Sequence, residues 1–467
     1  MNAFPDRTKR PLAEILGCAG WRDAPSDGPI LRDGPASLPT ALPIEPMAAA
    51  ALAAVGLASA EIHRRRGGGP QPVTVDRRAA ALAMCGNEYL RVNGAPATGW
   101  DPVTGYYRAR DGRWVYLHGN FPHLRDGLLD MLGAERNRES VAAAVGRLPA
   151  QDIEDRAGAR NLCAALLRSR AEWEAHPQCA AVSALPLIEV TRIGDAPPVP
   201  LPPAGDRPLA GFRALDLTRV IAGPMAGRTL AEHGADVLRV NGPHLPFIES
   251  LVIDTGFGKR SCHIDLRGAK GRETLHALIA RADIFVNAYR QGSLAARGFG
   301  PQALAAARPG IVAVTISAYS GAGPWQKRRG YDSLIQAATG LSYGGDDAPA
   351  RLPCQPLDYL TGYIAAAAAM TALMRRAEEG GSWHVELSLA RTAQWIWQMA
   401  DALGPEPSPP AEKPAAEALG GLIREMDSRF GALRFLGPAL EMPETPPRWT
   451  SPPVPPGTDA PEWIGGV

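Results

Sequence analysis

Short apolar runs alternate with amphipathic stretches along residues 209–345. Five runs rich in Val, Ile, Leu and Ala predict strands: FRALDLT, ADVLRV, CHIDL, ADIFVNA and GIVAVTISAYS. Between them, MAGRTLAEHG, GRETLHALIARA and PQALAAARP carry apolar residues at helical spacing. Apolar strands that alternate with helices are typical of a parallel sheet covered on both faces. The pattern therefore predicts an α/β domain over residues 209–400.

Segments rich in proline and glycine divide the rest of the chain. Residues 196–208, within DAPPVPLPPAGDRP, predict an extended linker, because proline continues neither a helix nor a central strand. Residues 1–40 show no clear periodicity and predict an irregular segment. Residues 401–467 contain two proline-rich stretches and are expected to wrap the surface. Residues 41–195 are left as a second structured part.

An internal repeat links the two structured parts. Residues 47–84 match residues 359–396 at a constant offset, which pairs Gly68 with Gly380 and Val73 with Val385. Both copies predict an Ala-rich helix with a basic end, a Gly-Gly turn and a strand. This order favours a partial tandem duplication over a chance match between Ala-rich helices. The first copy is incomplete, because nothing before it resembles the strand-helix series after residue 209.

Composition excludes several classes of function. The chain has 49 basic and 48 acidic residues, so its net charge of +1 favours neither nucleic acid nor an anionic membrane as a partner. Its longest nearly apolar stretch, residues 364–374, is shorter than the ~20 residues of a spanning helix, and no signal core is visible. We therefore expect a cytoplasmic protein.

Metal, disulfide and common nucleotide motifs are not found. The six cysteines form no Cys-x-x-Cys pair, and the histidines have no metal-ligand spacing, which predicts no metal site. GFGKRS lacks the Ser or Thr of a P-loop, and AGPMAG lacks the glycine spacing of a dinucleotide fold. The turn that opens at AGPMAG nevertheless offers free backbone N–H groups for a phosphate or a carbonyl oxygen.

Asp358 is the acidic residue with the most distinctive position. It stands immediately before the apolar helix YLTGYIAAAAAM. It could act as an N-cap, which stabilises a helix by ~1 kcal/mol. It could instead be a nucleophilic carboxylate, kept ionised by the helix N-terminus. The residues alone leave both interpretations open.

Several motifs together resemble the family III CoA-transferases (CaiB/BaiF family). They occur in order as LDLTRVIAGPMAGRTLAEHGADVLRV, GKRSCHIDLRGAKGRETLHALIARADIFVNAYRQGSLAARGFG, PGIVAVTISAYSGAGPWQKRRGYDSLIQAATG and LDYLTGYIAAAAAMTALMRR. TGYYRARDGRWVYLHGN and RAEWEAHPQCAAVSALPLIEV are similar to the family's small domain. The resemblance implies a parallel sheet with Rossmann-like topology plus a smaller α+β domain, arranged as a partial tandem duplication. Residues 41–195 would be an incomplete first copy that contains the small domain.

The resemblance also implies site residues. Asp358 would attack the thioester of an acyl-CoA, giving a mixed anhydride, and a small carboxylic acid would leave as the new CoA thioester. Basic side chains would meet the CoA phosphates through charge-assisted contacts. The positions matched to CoA binding are Arg219, Val220, Ala222, Lys259, Arg260, Tyr289, Arg290, Arg297 and Arg329. The chain departs from the family pattern at Asn241, in the turn Ala288-Tyr289-Arg290-Gln291-Gly292, and at Ala296.

Three alternatives remain open beside a CoA-transferase. The first is an isomerase that transfers CoA within one molecule. The second is a CoA-linked racemase, which Tyr331 disfavours: it stands where the racemase branch has a histidine, and Tyr has a reference pKa of ~10 against ~6.5. A catalytically inactive homologue that binds or supports a partner is the third. The resemblance implies an interlocked homodimer, although the small domain could also dock within its own chain. Pro46 corresponds to Asp358, so we expect one site per chain.

Overall fold

The structure, a computed structural model, describes residues 3–21, 28–97, 99–345 and 348–465. Its first part contains two helices that pack against each other, of 15 and 22 residues. The elements to residue 96 are α1 (Phe4–Cys18), β1 (Ile30–Arg32), α2 (Ile44–Arg65), β2 (Thr74–Asp76), α3 (Arg77–Ala83), α4 (Gly86–Tyr89), β3 (Arg91–Val92) and β4 (Ala95–Pro96). The expectation of an irregular segment over residues 1–40 is wrong at α1. Phe4, Thr8, Pro11 and Ile15 are buried at helical spacing, and Pro11 obscures that period in the sequence.

The small domain follows and has its own hydrophobic core. Its three strands form an antiparallel sheet in the order β5-β6-β7. The elements are β5 (Gly105–Arg108), β6 (Trp114–Leu117), α5 (Pro122–Leu132), α6 (Arg138–Val145), α7 (Ala150–Ala159) and β7 (Ala164–Leu166). Two short helices and a strand then lead to the linker: α8 (Arg170–Glu174), α9 (Pro177–Ser183) and β8 (Glu189–Gly194).

The second part alternates strands and helices. Its elements are β9 (Arg213–Leu217), α10 (Ala222–Glu232), β10 (Asp236–Asn241), α11 (Glu249–Asp254), β11 (Lys259–His263), α12 (Ala269–Ile279), β12 (Ile284–Asn287), a 3-10 turn (Ala295–Arg297), α13 (Pro301–Ala307), β13 (Val312–Ser317), α14 (Asp332–Ala338), α15 (Pro356–Glu379), β14 (Ser382–Ser388) and α16 (Leu389–Leu403). The chain ends with a 3-10 segment (Ala416–Leu422), β15 (Ile423–Ser428), β16 (Gly431–Leu436) and β17 (Leu440–Glu441).

The large sheet has the order β11-β10-β9-β12-β13-β14-β8. Its first six strands are parallel, and β8 pairs antiparallel with β14 at the edge. The chain moves outward from β9 in one direction and then in the other, which is the Rossmann-like order. This confirms the predicted fold class. The order reverses between β9 and β12, and ligands bind at such switch points in open α/β sheets.

One strand lies elsewhere than the sequence pattern predicts. CHIDL predicts a strand from Cys262, but β11 covers Lys259–His263. The polar residues KRS obscured its start, because they resemble a loop. Lys259 therefore lies inside the sheet rather than before it, which changes what its side chain contacts.

The duplicated elements recur 312 residues apart. Helices α2 and α15 begin at residues 44 and 356, and α3 and α16 begin at residues 77 and 389. The N-caps also correspond, because Asp76 accepts a hydrogen bond from the N–H of Ala79 and Ser388 accepts one from Arg391. Each copy therefore has the same helix-strand-capped helix unit.

Helices α2 and α15 pack together at the centre of the main core. Both are long and apolar enough to cross a membrane by length and composition, contrary to the expectation from residues 364–374. They are 89% and 100% buried over the apolar window, however. The apolar composition of α2 and α15 is thus explained by their position in the core of the protein.

The two copies exchange their final strands. Strand β8, at the end of the first half, pairs with β14 of the second copy. Strand β17, near the end of the second half, pairs with β2 of the first copy. On its other side, β14 pairs parallel with β13, and β2 pairs parallel with β1. The chain is therefore interlocked with itself.

The proline-rich segments lie along this framework. Residues 196–208 have neither helix nor strand, and Arg66 donates hydrogen bonds to the carbonyls of Pro202 within this segment and of Ala210 just after it. Beyond β17, the indole N–H groups of Trp449 and Trp463 donate to the carbonyls of Arg228 and Leu278. Residues 401–465 are not irregular throughout, because β15 and β16 form a hairpin that pairs with β3.

Candidate active site

A cavity of about 650 Å³ lies at the switch point of the large sheet. The turns after β9 and β12, residues 219–223 and 288–294, contribute much of its wall. The small domain contributes Pro122 and His123. The cavity is therefore built from both parts of one chain.

The turn after β9 approaches the cavity through its backbone. Val220 has φ of 75°, a left-handed conformation that is strained for a β-branched residue and is often found at functional sites. Helix α10 then begins at Ala222. A Cβ on Gly223 would lie 2.5 Å from the Thr218 side chain and 2.9 Å from that of Ala288, so only glycine fits there. The first N–H groups of α10 thus lie beside the cavity, where they favour an anion.

Arginine dominates the charge of the cavity wall. The arginines that line it are Arg219, Arg267, Arg290, Arg297, Arg328 and Arg329. Arg267 and Arg328 form ion pairs with Asp265 and Asp155. Among the described residues, the other four have no carboxylate within ion-pair distance. Unpaired guanidinium groups around one cavity indicate an anionic ligand.

Arg329 lies close enough to Arg290 to disfavour the charge of Arg290. Burial and the positive charge of Arg329 lower the pKa of Arg290. The buried Nε of Arg329 has no hydrogen-bond partner in the described part of the chain, and its Nη1 lies 3.3 Å from Nε2 of His123. An anion bound between the two arginines would relieve the repulsion and satisfy that donor.

Most of the residues matched to CoA binding line this cavity, but two do not. The cavity contains Arg219, Val220, Ala222, Tyr289, Arg290, Arg297 and Arg329. Lys259 is buried in β11, where Nζ donates to Oδ2 of Asp216 and to the carbonyl of Pro224, both at 2.6 Å, and burial lowers its pKa to about 8. Arg260 pairs with Asp236 at 3.0 Å, away from the cavity. These two therefore do not belong to the candidate site.

Asp358 also lines the cavity, from the first turn of α15. The N-cap interpretation is wrong, because the helix begins at Pro356 and its N-cap is Gln355. Asp332 supplies the cap from another helix. Its Oδ2 accepts hydrogen bonds from the backbone N–H of Leu357 at 2.8 Å and of Asp358 at 3.1 Å. The Asp358 side chain is therefore not required as a cap.

Two buried carboxyl groups are thus placed next to each other. Burial and the negative charge of Asp332 raise the pKa of Asp358 well above its ordinary value. Burial raises the pKa of Asp332 to about 7, although the hydrogen bonds it accepts lower it. The expectation that the helix N-terminus keeps Asp358 ionised neglected this burial. Groups with strongly shifted pKa values in a cleft are candidates for catalysis.

Close packing of α15 on α10 brings Asp358 to the turn after β9. A Cβ on Gly362 would lie 2.6 Å from Cβ of Met225 and 2.7 Å from the carbonyl oxygen of Ala222. Glycine therefore allows the two helices to approach at this point. Gly362 is one turn after Asp358, so the same contact fixes the carboxyl group beside the start of α10.

The small domain closes the site from the other side. The His118 ring stacks on Tyr331 with centroids 4.1 Å apart, and Arg219 lies 5.3 Å from the Phe121 ring. The buried Arg168 joins the domain to its neighbour, because it pairs with Glu154 at 2.6 Å and lies over Trp325. The small domain therefore docks on the sheet domain of its own chain.

Several residues of this site had no signal in the sequence. Asp332 follows Tyr331, and His118 lies within the small-domain motif, but the contacts of both are with residues distant in the sequence. Arg328 was detectable only as part of the basic run KRRG. Within the described ranges, no cluster of three or more His, Cys, Asp or Glu is arranged for a metal, and the six cysteines are free.

The position equivalent to Asp358 in the first copy has a different structure. Glu45, beside Pro46, is buried, and its Oε1 accepts hydrogen bonds from the backbone N–H of Ser37 at 2.6 Å and Leu38 at 2.9 Å. Its Oε2 pairs with Nε of Arg77 at 2.6 Å. The space beside the start of α2 is therefore occupied by other residues of the chain, and Glu45 is held by them.

A sheet of Rossmann-like order with an arginine-lined cavity at its switch point is typical of α/β proteins that bind an anionic, nucleotide-like ligand. The comparison with protein families is more specific. Residues 209–420 match the model of CoA-transferase family III. Over these residues, the chain is thus similar to the family III CoA-transferases.

Similar proteins share part of the chain's length. An acyl-CoA transferase of Gibberella moniliformis is 29% identical over 75% of this chain and 72% of its own. An acetyl-coenzyme A transferase of Hypoxylon pulicicidum is 31% identical over 63% of this chain, which spans 54% of that relative. The human succinyl-CoA:glutarate CoA-transferase is 31% identical over 39% of this chain and 45% of its own. The crystal structure of a CaiB/BaiF family protein from Brucella suis is 26% identical over 48% of this chain and 65% of that chain, with a TM-score of 0.40.

Proposed function

We propose that this chain is a CoA-transferase that moves CoA from an acyl-CoA thioester to a free carboxylic acid, with Asp358 as the nucleophile. The observation that carries the proposal is the position of Asp358 in the wall of a cavity that holds four unpaired arginines. Those arginines suit the phosphates of CoA. The family of the sheet domain supports the same activity.

The reaction balances without a further reactant. Asp358 attacks the thioester carbonyl, the C–S bond breaks, and a mixed anhydride and CoA thiolate form. The thiolate attacks the aspartyl carbonyl and releases the first carboxylate, which leaves an aspartyl-CoA thioester. The acceptor carboxylate attacks this thioester, giving a second anhydride, and the thiolate then attacks the acceptor's acyl carbon. The new acyl-CoA leaves and Asp358 is regenerated.

The surroundings of Asp358 suit these steps. The carboxylate is disfavoured by burial and by Asp332, so conversion to a neutral anhydride or thioester relieves an unfavourable charge. The first N–H groups of α10 would stabilise the oxyanion of each tetrahedral intermediate. The arginines would hold the nucleotide while the thiolate changes partner, which keeps the exchange intramolecular.

A CoA-linked racemase is less well supported. Such an enzyme needs two proton-transfer groups with pKa values near neutrality. Burial raises the pKa of Tyr331, and it lowers the pKa of the stacked His118 to about 4. Tyr331 is therefore too weak an acid and His118 too weak a base for reversible proton abstraction. The four unpaired arginines favour a protein that binds an anionic ligand over a purely structural homologue.

We further propose cytoplasmic activity by a single chain, in which the small domain closes the site in cis. The homodimer implied by the resemblance stays a prediction. Light scattering of the active enzyme at micromolar concentration would decide the oligomeric state.

A chemical trap tests the nucleophile. Hydroxylamine added during turnover should convert the activated aspartate to a hydroxamate at one site per chain, in the peptide that contains Asp358. Asp358→Asn, which keeps the side-chain shape, should fold, fail to form the hydroxamate and lose turnover by about 10³-fold or more. The Glu45 peptide is the internal control. A hydroxamate at Glu45, or none in enzyme that turns over, would contradict the assignment.

A further inference from the structure

A second, smaller cavity lies on the small-domain side of Asp358. Its volume is about 50 Å³, which leaves room for roughly four water-sized groups. It shares Val220, Ile221, Tyr331 and Asp358 with the larger cavity. Asp358 therefore stands between a large cavity with arginines and a small one without them.

Two polar atoms beside the small cavity have no partner in the described part of the chain. They are Nδ1 of His118 and Oε1 of Gln355. His118 is only 5% exposed, and its stacking on Tyr331 fixes the plane of the ring. Burial lowers the pKa of His118 to about 4, so the ring is neutral near pH 7. Unpaired buried polar atoms are costly, and a ligand that hydrogen-bonds to them removes that cost.

The charge of this cavity selects against anions. Asp332 and Asp358 both line it, while no Lys or Arg is among its described lining residues. The carboxylate that reacts must approach Asp358 in any case. A second carboxylate on the same acid would add another negative charge next to Asp332 and meet no cation. A neutral group that donates a hydrogen bond fits better, because the amide oxygen of Gln355 is an acceptor.

We propose that this small cavity is an acyl pocket for short hydroxy acids, whose hydroxyl group bonds to His118 and Gln355. This inference rests on the proposed CoA transfer, because the pocket positions the acyl carbon against Asp358. It also limits length, since about 50 Å³ does not hold a long alkyl chain. Trp100, which is 40% exposed, forms the outer part of its wall.

Acceptor acids that differ in one feature at a time test the pocket. With acetyl-CoA as donor, kcat/KM should be about tenfold or more higher for 3-hydroxybutyrate than for butyrate, since one buried hydrogen bond to a substrate separates them. Succinate and octanoate should be poorer still, because one adds a carboxylate and the other exceeds the pocket. Equal or better transfer to butyrate, succinate or octanoate would overturn the proposal.

Two variants connect this preference to the residues. His118→Phe keeps a ring to stack on Tyr331 but removes both nitrogens, and Gln355→Met keeps the length but removes the amide. Each should reduce the preference for 3-hydroxybutyrate over butyrate to within about twofold. His276→Phe, on the exposed side of α12, is the matched control and should keep the preference. A preference that survives in both pocket variants would contradict the assignment.

Calorimetry separates failure of the pocket from failure of CoA transfer. Each free acid is titrated into wild-type enzyme saturated with CoA. Binding of 3-hydroxybutyrate in preference to butyrate, without transfer to either, would leave the pocket standing and remove the proposed activity. Transfer without preference would remove the pocket alone. No binding of 3-hydroxybutyrate would overturn the pocket whether or not other acids react.

Discussion

Arg329 is the arginine whose removal should affect CoA binding most clearly. Its buried Nε has no partner in the described residues, and its charge lowers the pKa of the neighbouring Arg290. Arg329→Gln removes the donors and also the repulsion. Hydrogen bonds that involve a charged group contribute about 1.5–3 kcal/mol, which is roughly a 10- to 150-fold change in affinity. Relief of the repulsion on Arg290 offsets part of that loss, so we expect an increase in KM at the lower end, about 10- to 30-fold.

The KM for acyl-CoA is measured by steady-state kinetics, and the dissociation constant of CoA is measured by calorimetry. Both measurements are made at low and at high salt. The variant should also depend less on salt, because one fewer charge attracts the phosphates. The melting temperature of the ligand-free protein should not fall, since two like charges no longer face each other. CoA should raise the melting temperature of the variant less than that of the wild type.

Arg260→Gln is the matched control. Sequence resemblance alone assigns both arginines to CoA, but Arg260 pairs with Asp236 outside the cavity. Its loss should change KM by less than about twofold and cost about 1–3 kcal/mol of stability, because Asp236 loses partly buried charge-assisted hydrogen bonds. Equal effects of the two variants on KM, or no effect of Arg329→Gln, would refute the assignment of the cavity to CoA.

Two further substitutions test the carboxyl groups of the two copies. Asp332→Asn should move the low-pH limb of kcat/KM to lower pH, because Asp358 loses the neighbouring charge that raises its pKa and attacks as the carboxylate in the proposed mechanism. A pH–rate profile that stays in place would contradict this coupling. Glu45→Gln should leave turnover unchanged and lower the melting temperature, because it weakens the ion pair with Arg77 at a cost of about 1–3 kcal/mol. A loss of turnover in folded protein would show that the first copy is catalytic.

The sheet domain was predictable from the sequence because its signals are local. Apolar runs such as IVAVTI show buried parallel strands, and the helices between them keep a regular period. Strand β11 was the exception. It begins with Lys259, whose charge is compensated by Asp216 on β9, two strands away in the sheet. A pair 43 residues apart leaves no local signal, so the polar start of this strand resembled a loop.

The candidate site was predictable only where motifs carry it. Asp358 and the turn at Arg219 and Val220 were recognised from contiguous sequence. Asp332 was not, because it caps a helix that begins 24 residues later, and that geometry exists only after α14 and α15 have packed. The pKa of Asp358 depends on the same contact, so its rise above the ordinary value could not be predicted from the sequence either.

The duplication explains why one chain has one proposed site. The first copy contributes the small domain, which covers the cavity of the second copy, while the second contributes the sheet, the arginines and Asp358. In the first copy Arg77 occupies the position of Leu389, which lines the cavity of the second, and it pairs there with Glu45. The strands that the copies exchange hold the two halves in this order. Neither copy therefore forms the site alone, and a substitution in the first half, such as His118→Phe, is expected to alter chemistry at a residue of the second.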